Sequence, residues 1–407
     1  MKPEQVVYFD NSATTAVDPD VMTEMTPYFL QRYGNASSLH RYGMDAYEAM
    51  EHSRENVAKA LGSSPKEILF TSGGTESDNL ALQGFAFANR KKGGHIITSA
   101  IEHHAILHTC EFLEKEGFSV TYLPVGPEGI VSPDSLRNAM TDETILVSIM
   151  MANNEIGTIQ PIRELAAVAH EKGALFHTDA VQSVGKMPID VVRDGVDMLS
   201  LAAHKFHGPK GVGALYVKKG VQLRPLTYGG GHERGLRPST ENIPGIVGLG
   251  KAIELAISRM ENDTARMRSI RDKLMNGALD IPDSFLNGHR EKRLCNNVHV
   301  RYDFIEGESL VMHLDMAGFA TSTGSACSSK SLEPSHVLTA LGIRKERTHG
   351  SLRITLSRLN TQEEADRFLQ VLPAVVGKLR EMSPIKSWDD YEITGNEEEE
   401  ECHTANE

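Results

Sequence analysis

Short apolar runs alternate with segments of helical periodicity between about residues 60 and 220. The apolar runs predict buried strands at 68–70 (ILF), 95–98 (HIIT), 120–123 (VTYL), 145–152 (ILVSIMMA), 174–178 (ALFHT), 197–203 (DMLSLAA) and 213–217 (GALYV). Asp18-Pro19 and Ser132-Pro133 each place a capping side chain before a proline that suits the first position of a helix. Buried strands that alternate with helices predict an α/β fold, with a mostly parallel sheet covered on both faces.

The remainder of the chain predicts a second, smaller α/β unit. A long helical stretch from about Ile246 to Leu279 leads into expected strands at 296–302, 320–324 and 352–357 and expected helices at 308–316, 335–341 and 361–382. A chain of 407 residues is also longer than one small core usually serves. We therefore expect an N-terminal segment that packs with the small domain (1–15), a large domain (16–260), a small C-terminal domain (261–386) and an acidic, disordered tail (387–407).

Composition is that of a water-soluble globular protein, with 40% hydrophobic and 24% charged residues. No apolar run reaches the eighteen or so residues of a membrane span, and MKPEQVVYFD does not resemble a signal peptide. Four widely spaced cysteines (Cys110, Cys295, Cys327 and Cys402) with no C-x-x-C pair favour a reducing, cytoplasmic location. Nine of the acidic side chains behind the net charge of −13 lie in residues 387–407, and so acidic a chain is not expected to bind nucleic acid.

Polar residues follow several predicted strands, at the edge of a parallel sheet where ligands usually bind. They include Gly73, Gly74 and Thr75 after the first strand, Asn153 and Asn154 after another, then Asp179 and Gln182, and finally His204 and Lys205. Glycines that open a helix suit a phosphate, a lysine can hold an aldehyde as a Schiff base, and a carboxylate can keep a pyridine nitrogen protonated. This set predicts a pyridoxal phosphate site. A dinucleotide site is not expected, because no G-x-G-x-x-G follows the first strand, and the glycines do not have the spacing of a Walker A loop.

The segment IEHHAILHTCEF contains three histidines and a cysteine, of which His104, His108 and Cys110 lie on one predicted helix. His104 and His108 are four residues apart, but no third ligand stands at a supporting spacing, so no metal site is expected. Cys110 shares an apolar helical face with Ile106 and Leu113 and is expected in the core. His103 directly follows a strand, where an imidazole can stack on a flat cofactor ring and exchange protons near neutral pH.

Eight ordered motifs together carry a family resemblance. They are YGNASSLH, GGTESDNLA, EHHA, NNEIGTIQP, HTDAVQ, HKFHGPKGVGALY, GGGHERGLRPSTEN and GSACSSKSLEPSHVL, and they lie between YFDNSATT (8–15) and LRITLSR (352–358), which belong to the same resemblance. They resemble the cysteine desulfurases of the iron–sulfur cluster assembly and nitrogen-fixation type, in the class V aminotransferase family. The resemblance implies the aspartate-aminotransferase-like fold of pyridoxal phosphate enzymes (fold type I), with a mixed seven-stranded sheet, a smaller α/β domain, and a homodimer whose sites lie at the subunit interface.

The resemblance also implies a role for each matching residue. Lys205 is expected to hold the cofactor and move protons, Asp179 to pair with the pyridine nitrogen, Gln182 to contact the ring hydroxyl, and His103 to stack on the ring as an acid–base group. Gly74, Thr75 and His204 are expected to bind the phosphate together with Thr240 of the partner subunit, and Asn154 to contact the cofactor. Arg353 is expected to bind the substrate carboxylate with help from Asn35. Ala202 replaces the serine that usually gives the phosphate a hydroxyl group.

Cys327, in the G-S-A-C motif, is by this resemblance the nucleophile on a mobile loop (322–334). Its thiolate would attack the sulfur of bound L-cysteine, leave L-alanine, and carry the sulfur as a persulfide to an iron–sulfur scaffold or another acceptor protein. Transient sharing of a cluster ligand by Cys327 stays open. Alternatives are a selenocysteine lyase or cysteine-sulfinate desulfinase, and a non-catalytic scaffold or regulator. The presence of Lys205, Asp179, His103, Arg353 and Cys327 together weighs against a scaffold.

Overall fold

The computed structural model describes residues 6–324 and 334–388. Its strands are β1 (Val7–Tyr8), β2 (Ile68–Thr71), β3 (His95–Ser99), β4 (Ser119–Leu123), β5 (Thr144–Ser148), β6 (Leu175–Asp179), β7 (Met198–Ala202), β8 (Gly213–Val217), β9 (Ser284–Leu286), β10 (Asn297–Tyr302), β11 (Phe319–Ala320) and β12 (Ser351–Thr355). The seven strands from β2 to β8 form one sheet in the order β2-β8-β7-β6-β5-β3-β4. Strand β8 runs antiparallel to both neighbours and the other pairs are parallel, so the expected mixed, mostly parallel sheet is confirmed.

The helices are α1 (Pro19–Met25), α2 (Pro27–Leu30), α3 (Arg41–Leu61), α4 (Gly74–Asn79), α5 (Phe85–Asn89), α6 (His104–Lys115), α7 (Pro133–Ala139), α8 (Ile162–Glu171), α9 (Ile243–Leu279), α10 (Gly307–Met316), α11 (His336–Ala340), α12 (Lys345–Thr348) and α13 (Gln362–Met382). A π-helical turn (Leu80–Gly84) joins α4 to α5. The two predicted caps are present: Asp18 accepts from the Asp20 backbone N–H at 2.8 Å, and Ser132 accepts from that of Asp134 at 3.2 Å. No helix in the described residues is long and apolar enough to cross a membrane.

Strands β3, β5, β7 and β8 are buried along their whole length, because helices cover both faces of the sheet. This burial explains why those strands appear in the sequence as continuous apolar runs rather than as alternating patterns. Cys110 is fully buried among the side chains of one face, as its helical pattern predicts.

A separate apolar cluster forms around a three-stranded antiparallel sheet in the order β12-β10-β9. Helix α9 contributes to both parts of the core: Ile253 packs with the large sheet and Met267 with the smaller one. Val7 and Phe9 also belong to the second cluster, where β1 pairs with β11. The predicted domain division at residue 260 stays a prediction, which this change of packing partner along α9 supports.

Three details differ from the expected pattern of elements. The strand predicted over 145–152 ends at Ser148, and Ala152 instead makes an isolated antiparallel bridge to Ile159. Strand β11 covers only Phe319–Ala320, and beyond it Ser322 makes an isolated bridge to Arg353 before Gly324 turns with a φ of 102°. Positive φ favours glycine and ends the extended conformation that 320–324 had predicted. Near the C-terminus, the ring of Trp388 packs against that of Phe304 in a tilted arrangement with centroids 5.1 Å apart, so packing extends past the predicted tail boundary at residue 387.

Candidate active site

The predicted site residues follow neighbouring strands of the large sheet. Gly74 opens α4 after β2, His103 precedes α6 after β3, Asn154 follows β5, Asp179 ends β6, and Lys205 closes a 3₁₀ turn after β7. Strands β3, β5, β6 and β7 are parallel neighbours, so their carboxyl ends meet at one edge of the sheet. The topology therefore gathers side chains that are far apart in the sequence.

Lys205 lies against the N-terminal segment of the chain. Its Nζ donates to the backbone oxygens of Ser12 at 2.5 Å and Ala13 at 2.9 Å. Burial, with the nearby positive charges of Arg353 and Lys186, lowers the pKa of the Lys205 amine to about 8. An amine with this pKa is partly deprotonated near neutral pH, as an attacking or proton-accepting group requires.

Asp179 is a buried carboxylate at the end of β6. Burial raises its pKa to about 6, while a hydrogen bond from the Val181 N–H at 2.9 Å and the charge of Lys205 act in the opposite direction. Asp78 lies beside it, and burial together with the charge of Asp179 raises the pKa of the Asp78 carboxyl well above its usual value. Asp179 is therefore the anion of this pair near pH 7 and can pair with a protonated pyridine nitrogen.

His103 is held as a neutral imidazole. Its Nδ1 accepts from the Ala105 N–H at 3.1 Å, which caps helix α6 and leaves Nε2 as the protonated ring nitrogen. Burial, followed by the positive charge of Lys205, lowers the pKa of His103 to about 4. A neutral ring whose orientation is fixed by a cap suits stacking on a planar cofactor.

The segment after β2 forms a tight cradle. A β-carbon on Gly74 would lie 2.7 Å from Cγ2 of Val181 and 3.9 Å from Cβ of Ala202, so the Gly74 backbone comes close to both residues. Thr75 follows as an exposed residue, and Nδ1 of His204 lies 3.1 Å from the hydroxyl of Thr14. Ala202 thus lies beside the cradle but offers no hydroxyl.

Gln182 gives a test of whether these residues fit pyridoxal phosphate. Its Nε2 donates to the Ser12 carbonyl at 3.0 Å, whereas its buried Oε1 has no partner among the described residues. A buried polar atom without a partner is costly, and a cofactor hydroxyl would satisfy it. With the Lys205 amine, the Asp179 carboxylate and the glycine cradle nearby, the donor set fits pyridoxal phosphate.

Arg353 on β12 brings the smaller sheet to the site. It is 3% exposed, its Nη2 pairs with Asp10 at 2.8 Å, and its Nη1 donates to the backbone oxygens of Asn154 at 3.0 Å and Gly324 at 3.2 Å. Its Nε has no partner within the described residues. The guanidinium is therefore partly neutralised by a carboxylate that the sequence-based interpretation did not include.

Two predicted residues are not brought to this group within the single chain. Asn35 is exposed and its side chain accepts from the Ser37 N–H at 2.9 Å, and Thr240 is also exposed. No hydrogen bond or ion pair in the described part of the chain joins either residue to Lys205, Asp179 or His103. Cys327 and most of the predicted loop 322–334 lie outside the described residues.

Sequence reasoning missed the N-terminal contribution to the site. Ser12 and Ala13 contact Lys205, Thr14 contacts His204, and Thr15 accepts from the His207 N–H at 2.8 Å. The only sequence signal was a cluster of small polar residues directly after a short apolar stretch, in YFDNSATT.

His104 and His108, whose spacing alone would suit a metal, stack with ring centroids 4.9 Å apart. The residues that the structure describes contain no group of three or more histidine, cysteine or acidic side chains arranged to hold a metal ion. His336 extends this cluster, with its ring centroid 4.8 Å from that of His104.

Comparisons with known proteins agree with this geometry. The class-V aminotransferase family model matches residues 7–368. A protein named cysteine desulfurase IscS, from Methanosarcina thermophila, is 57% identical over 381 residues, which cover 94% of this chain and 94% of that one. A solved structure named NifS-like protein superposes with a TM-score of 0.87 at 42% identity, over 92% of this chain and all of the other. Another, titled SspA in complex with cysteine, gives a TM-score of 0.77 at 38% identity, over 87% of this chain and 99% of that one.

The matches extend across both parts of the core and nearly the full length of the relatives. They include the strand ends, the N-terminal segment and β12, from which the site is built. The chain therefore belongs to the cysteine desulfurases, pyridoxal-phosphate-dependent enzymes of the class-V aminotransferase family.

Proposed function

We propose that this protein removes the sulfur atom of L-cysteine, releases L-alanine, and holds the sulfur as a persulfide on Cys327. The observation that carries the proposal is the meeting of a low-pKa lysine, a buried carboxylate and a neutral histidine at one sheet edge, in a chain of this family. The cysteine complex of the SspA structure supports the choice of substrate.

The residues that would hold the cofactor are those gathered at the strand ends. Lys205 would bind its aldehyde carbon, Asp179 its pyridine nitrogen and Gln182 its ring hydroxyl, while His103 would stack on the ring. Gly74, Thr75 and His204 would bind the phosphate, and Asn154 would line the same side. When bound, pyridoxal phosphate withdraws electrons from the substrate carbon atoms, so that the bond from Cβ to sulfur can break.

The protein groups would then orient the substrate and move its protons. Arg353 would bind the substrate carboxylate, exchanging part of its pairing with Asp10, because a guanidinium forms strong, directional bonds with carboxylates. The Lys205 amine, whose pKa is lowered to about 8, can accept and return protons near neutral pH, while the neutral His103 ring would offer its Nε2 proton as a hydrogen-bond donor.

The Cys327 thiolate would attack the substrate sulfur. A sulfur–sulfur bond forms as the bond from Cβ to sulfur breaks, and a proton delivered to Cβ completes the methyl group of L-alanine. A thiolate is required because the neutral thiol is a poor nucleophile. The persulfide would next pass its outer sulfur to an acceptor protein, for which an iron–sulfur scaffold is the proposed class.

The exposure of Asn35 and Thr240 supports a homodimer in which a second copy of the chain completes the site. Thr240 of the partner subunit would then contribute a hydroxyl to the phosphate. A cytoplasmic location is part of the proposal, since it rests on the reduced state expected for four widely spaced cysteines.

The substitution Cys327→Ala tests the proposal. The variant should still bind L-cysteine and show the accompanying change in visible absorbance, because Lys205, Asp179 and Arg353 are unchanged. It should lose alanine and persulfide formation, whereas Cys402→Ala, a matched change at another cysteine, should retain both. Mass spectrometry of the wild-type protein after brief exposure to L-cysteine should find one added sulfur on the peptide that contains Cys327.

Full turnover of L-cysteine by Cys327→Ala, with sulfur added to a different cysteine, would overturn the proposed nucleophile. Turnover of selenocysteine or cysteine sulfinate alone would instead support the alternative activities, which do not need a protein thiolate.

A further inference from the structure

Lys186 is a buried amine that the proposed mechanism does not use. The residue lies in the turns that follow β6, and it is only 9% exposed. Among the described residues, no carboxylate lies within ion-pairing distance of its Nζ, and burial lowers the pKa of the Lys186 amine to about 8. Buried lysines without an acidic partner are rare because their desolvation is costly, so this position calls for a specific role.

The amine joins the backbones of two proposed cofactor-binding residues. Nζ of Lys186 donates to the backbone oxygen of Gln182 at 3.0 Å and to that of Lys205 at 3.2 Å. The side chains of the same two residues both donate to the Ser12 carbonyl, at 3.0 Å and 2.5 Å. Gln182 and Lys205 are therefore tied together twice, once through their side chains and once through Lys186.

The local backbone is shaped to place this amine. Gly185 has a φ of 75°, and a β-carbon there would lie 3.0 Å from Cβ of Ala256 and 3.3 Å from Cβ of Phe206. Glycine thus allows a tight turn directly before Lys186. On the other side, Sγ of Cys295, which belongs to the apolar cluster around the smaller sheet, lies 3.8 Å from the Lys186 backbone oxygen.

The charges around Lys205 show how Lys186 affects the protonation of the Lys205 amine. Arg353 and Lys186 both disfavour a proton on the Lys205 amine, and Asp179 and Asp10 favour it. His103, His204 and His207 also lie near these lysines, and their low pKa values keep them neutral near pH 7. Cys295, the titratable group that lies near Lys186 in the second apolar cluster, is kept as a neutral thiol because burial raises its pKa.

We infer that Lys186 is a positioning residue, which holds the backbones of Gln182 and Lys205 in register behind the cofactor and adds a positive charge behind the Lys205 amine. The inference rests on the proposed function, because it takes Lys205 as the residue that holds pyridoxal phosphate.

Two substitutions separate the hydrogen bonds from the charge. Lys186→Met is close in length but removes both, whereas Lys186→Gln removes the charge and keeps an N–H donor. Lys219→Met is a control for the loss of one positive charge, because Lys219 follows the end of the antiparallel strand β8, at the edge of the sheet opposite the site.

The first measurement is retention of pyridoxal phosphate by the purified holoenzyme during dialysis against a cofactor scavenger. Lys186→Met should lose the cofactor about tenfold faster than the wild-type protein, which corresponds to ~1.4 kcal/mol. The rate of cofactor loss from Lys186→Gln should lie between those of Lys186→Met and the wild type, and the rate from Lys219→Met should match the wild type.

The second measurement is a pH titration of the visible absorbance of the bound cofactor. Loss of a neighbouring positive charge favours the protonated form, so the midpoint should rise by roughly one pH unit in both Lys186 variants. A purely structural role would weaken retention without moving this midpoint. If both variants titrate and retain the cofactor as Lys219→Met does, the inference is wrong while the proposed function stands. A wild-type protein that binds no cofactor through Lys205 would overturn both.

Discussion

Glu102 is a buried carboxyl group beside the site that should make the stability of the protein depend on pH. It precedes His103, is fully buried, and accepts from the Ser99 hydroxyl at 2.5 Å and from the Met150 N–H at 3.0 Å. Its backbone oxygen lies 2.9 Å from Nε2 of His336, at the start of α11. Burial raises the pKa of the Glu102 carboxyl to about 8, so it is neutral at pH 7 and needs no positive partner.

The substitution Glu102→Gln should alter how stability depends on pH. The folded-state pKa of Glu102 lies above its unfolded value of 4.5, so the unfolded chain releases this proton first, and the wild-type protein loses stability as pH rises from about 4.5 to 8. Glutamine does not titrate, and its advantage over the wild type should therefore grow across that range and stop growing above it. Thermal unfolding midpoints of both proteins between pH 5 and pH 9 would check this, and curves that stay parallel would contradict it.

The buried histidines near the site should reduce the stability of the folded protein at acidic pH, whereas Glu102 reduces it as the pH rises. Burial lowers the pKa of His103 to about 4 and that of His177 to about 3, both below the usual histidine value of 6.5. The unfolded chain therefore binds more protons between these values, and stability should fall as pH drops from about 6.5 toward 4. Replacing His177 by glutamine should make the thermal unfolding midpoint depend less on pH, and only in this acidic range. An unchanged acid response would show that other groups control it.

At the scale of strands and loops, the sequence predicted what local patterns can encode. The apolar run of β7 and the caps at Asp18 and Ser132 depend on neighbours in sequence and were correctly predicted, whereas the run 145–152 predicted β5 but not its end at Ser148. The contact between Ser12 and Lys205 joins residues 193 apart. Such contacts follow from how the smaller sheet and the N-terminal segment pack, which periodicity cannot encode. The predicted extent of β11 was wrong for a related reason, since β11 pairs with only two residues of β1, and Ser322 instead bridges to Arg353 of β12.

The change Ala202→Ser at the end of β7 should strengthen cofactor retention. Ala202 lies beside the Gly74 backbone, where a hydroxyl can donate to the phosphate, and hydrogen bonds to charged groups are worth roughly 1.5–3 kcal/mol in mutational series. Slower release of pyridoxal phosphate on dialysis is expected. The control is Ala203→Ser, because the Ala203 β-carbon faces Gly208 instead. Equal or faster release from Ala202→Ser than from the wild type would show that another group already serves the phosphate.

At the scale of the whole molecule, the site depends on contacts between the two apolar clusters. Arg353 from the smaller sheet reaches Asn154 and Asp10, and Asp18 next to the large sheet pairs with Arg259 at 3.2 Å and with Arg358. Helix α9 passes continuously between both parts. Substrate binding at Arg353 would thus take place where the charges between the two apolar clusters are already paired. This pairing favours small shifts of the smaller unit over a large separation of the smaller unit from the large sheet.

The C-terminal limit of this packed structure can be tested by truncation. Trp388 contacts Phe304, its ring lies 4.4 Å below the guanidinium of Arg347, and its Nε1 donates to Asp303 at 2.9 Å. A chain ending at Trp388 should unfold at the same urea concentration as the full-length protein, because the acidic segment beyond it has too few apolar residues to bury.

A chain ending at Lys386 should be less stable by about 1–3 kcal/mol, since it loses the aromatic packing, the cation–π contact and the indole hydrogen bond. Trp388→Ala in the full-length protein should lose a similar amount, which separates the effect of the ring from that of chain length. Both shortened chains should retain pyridoxal phosphate, because none of Asp303, Phe304 and Arg347, which Trp388 contacts, is among the proposed cofactor-binding residues. If the chain ending at Lys386 were as stable as the full-length protein, the Trp388 contacts would contribute nothing and the folded unit would end where the charge pattern first placed its boundary.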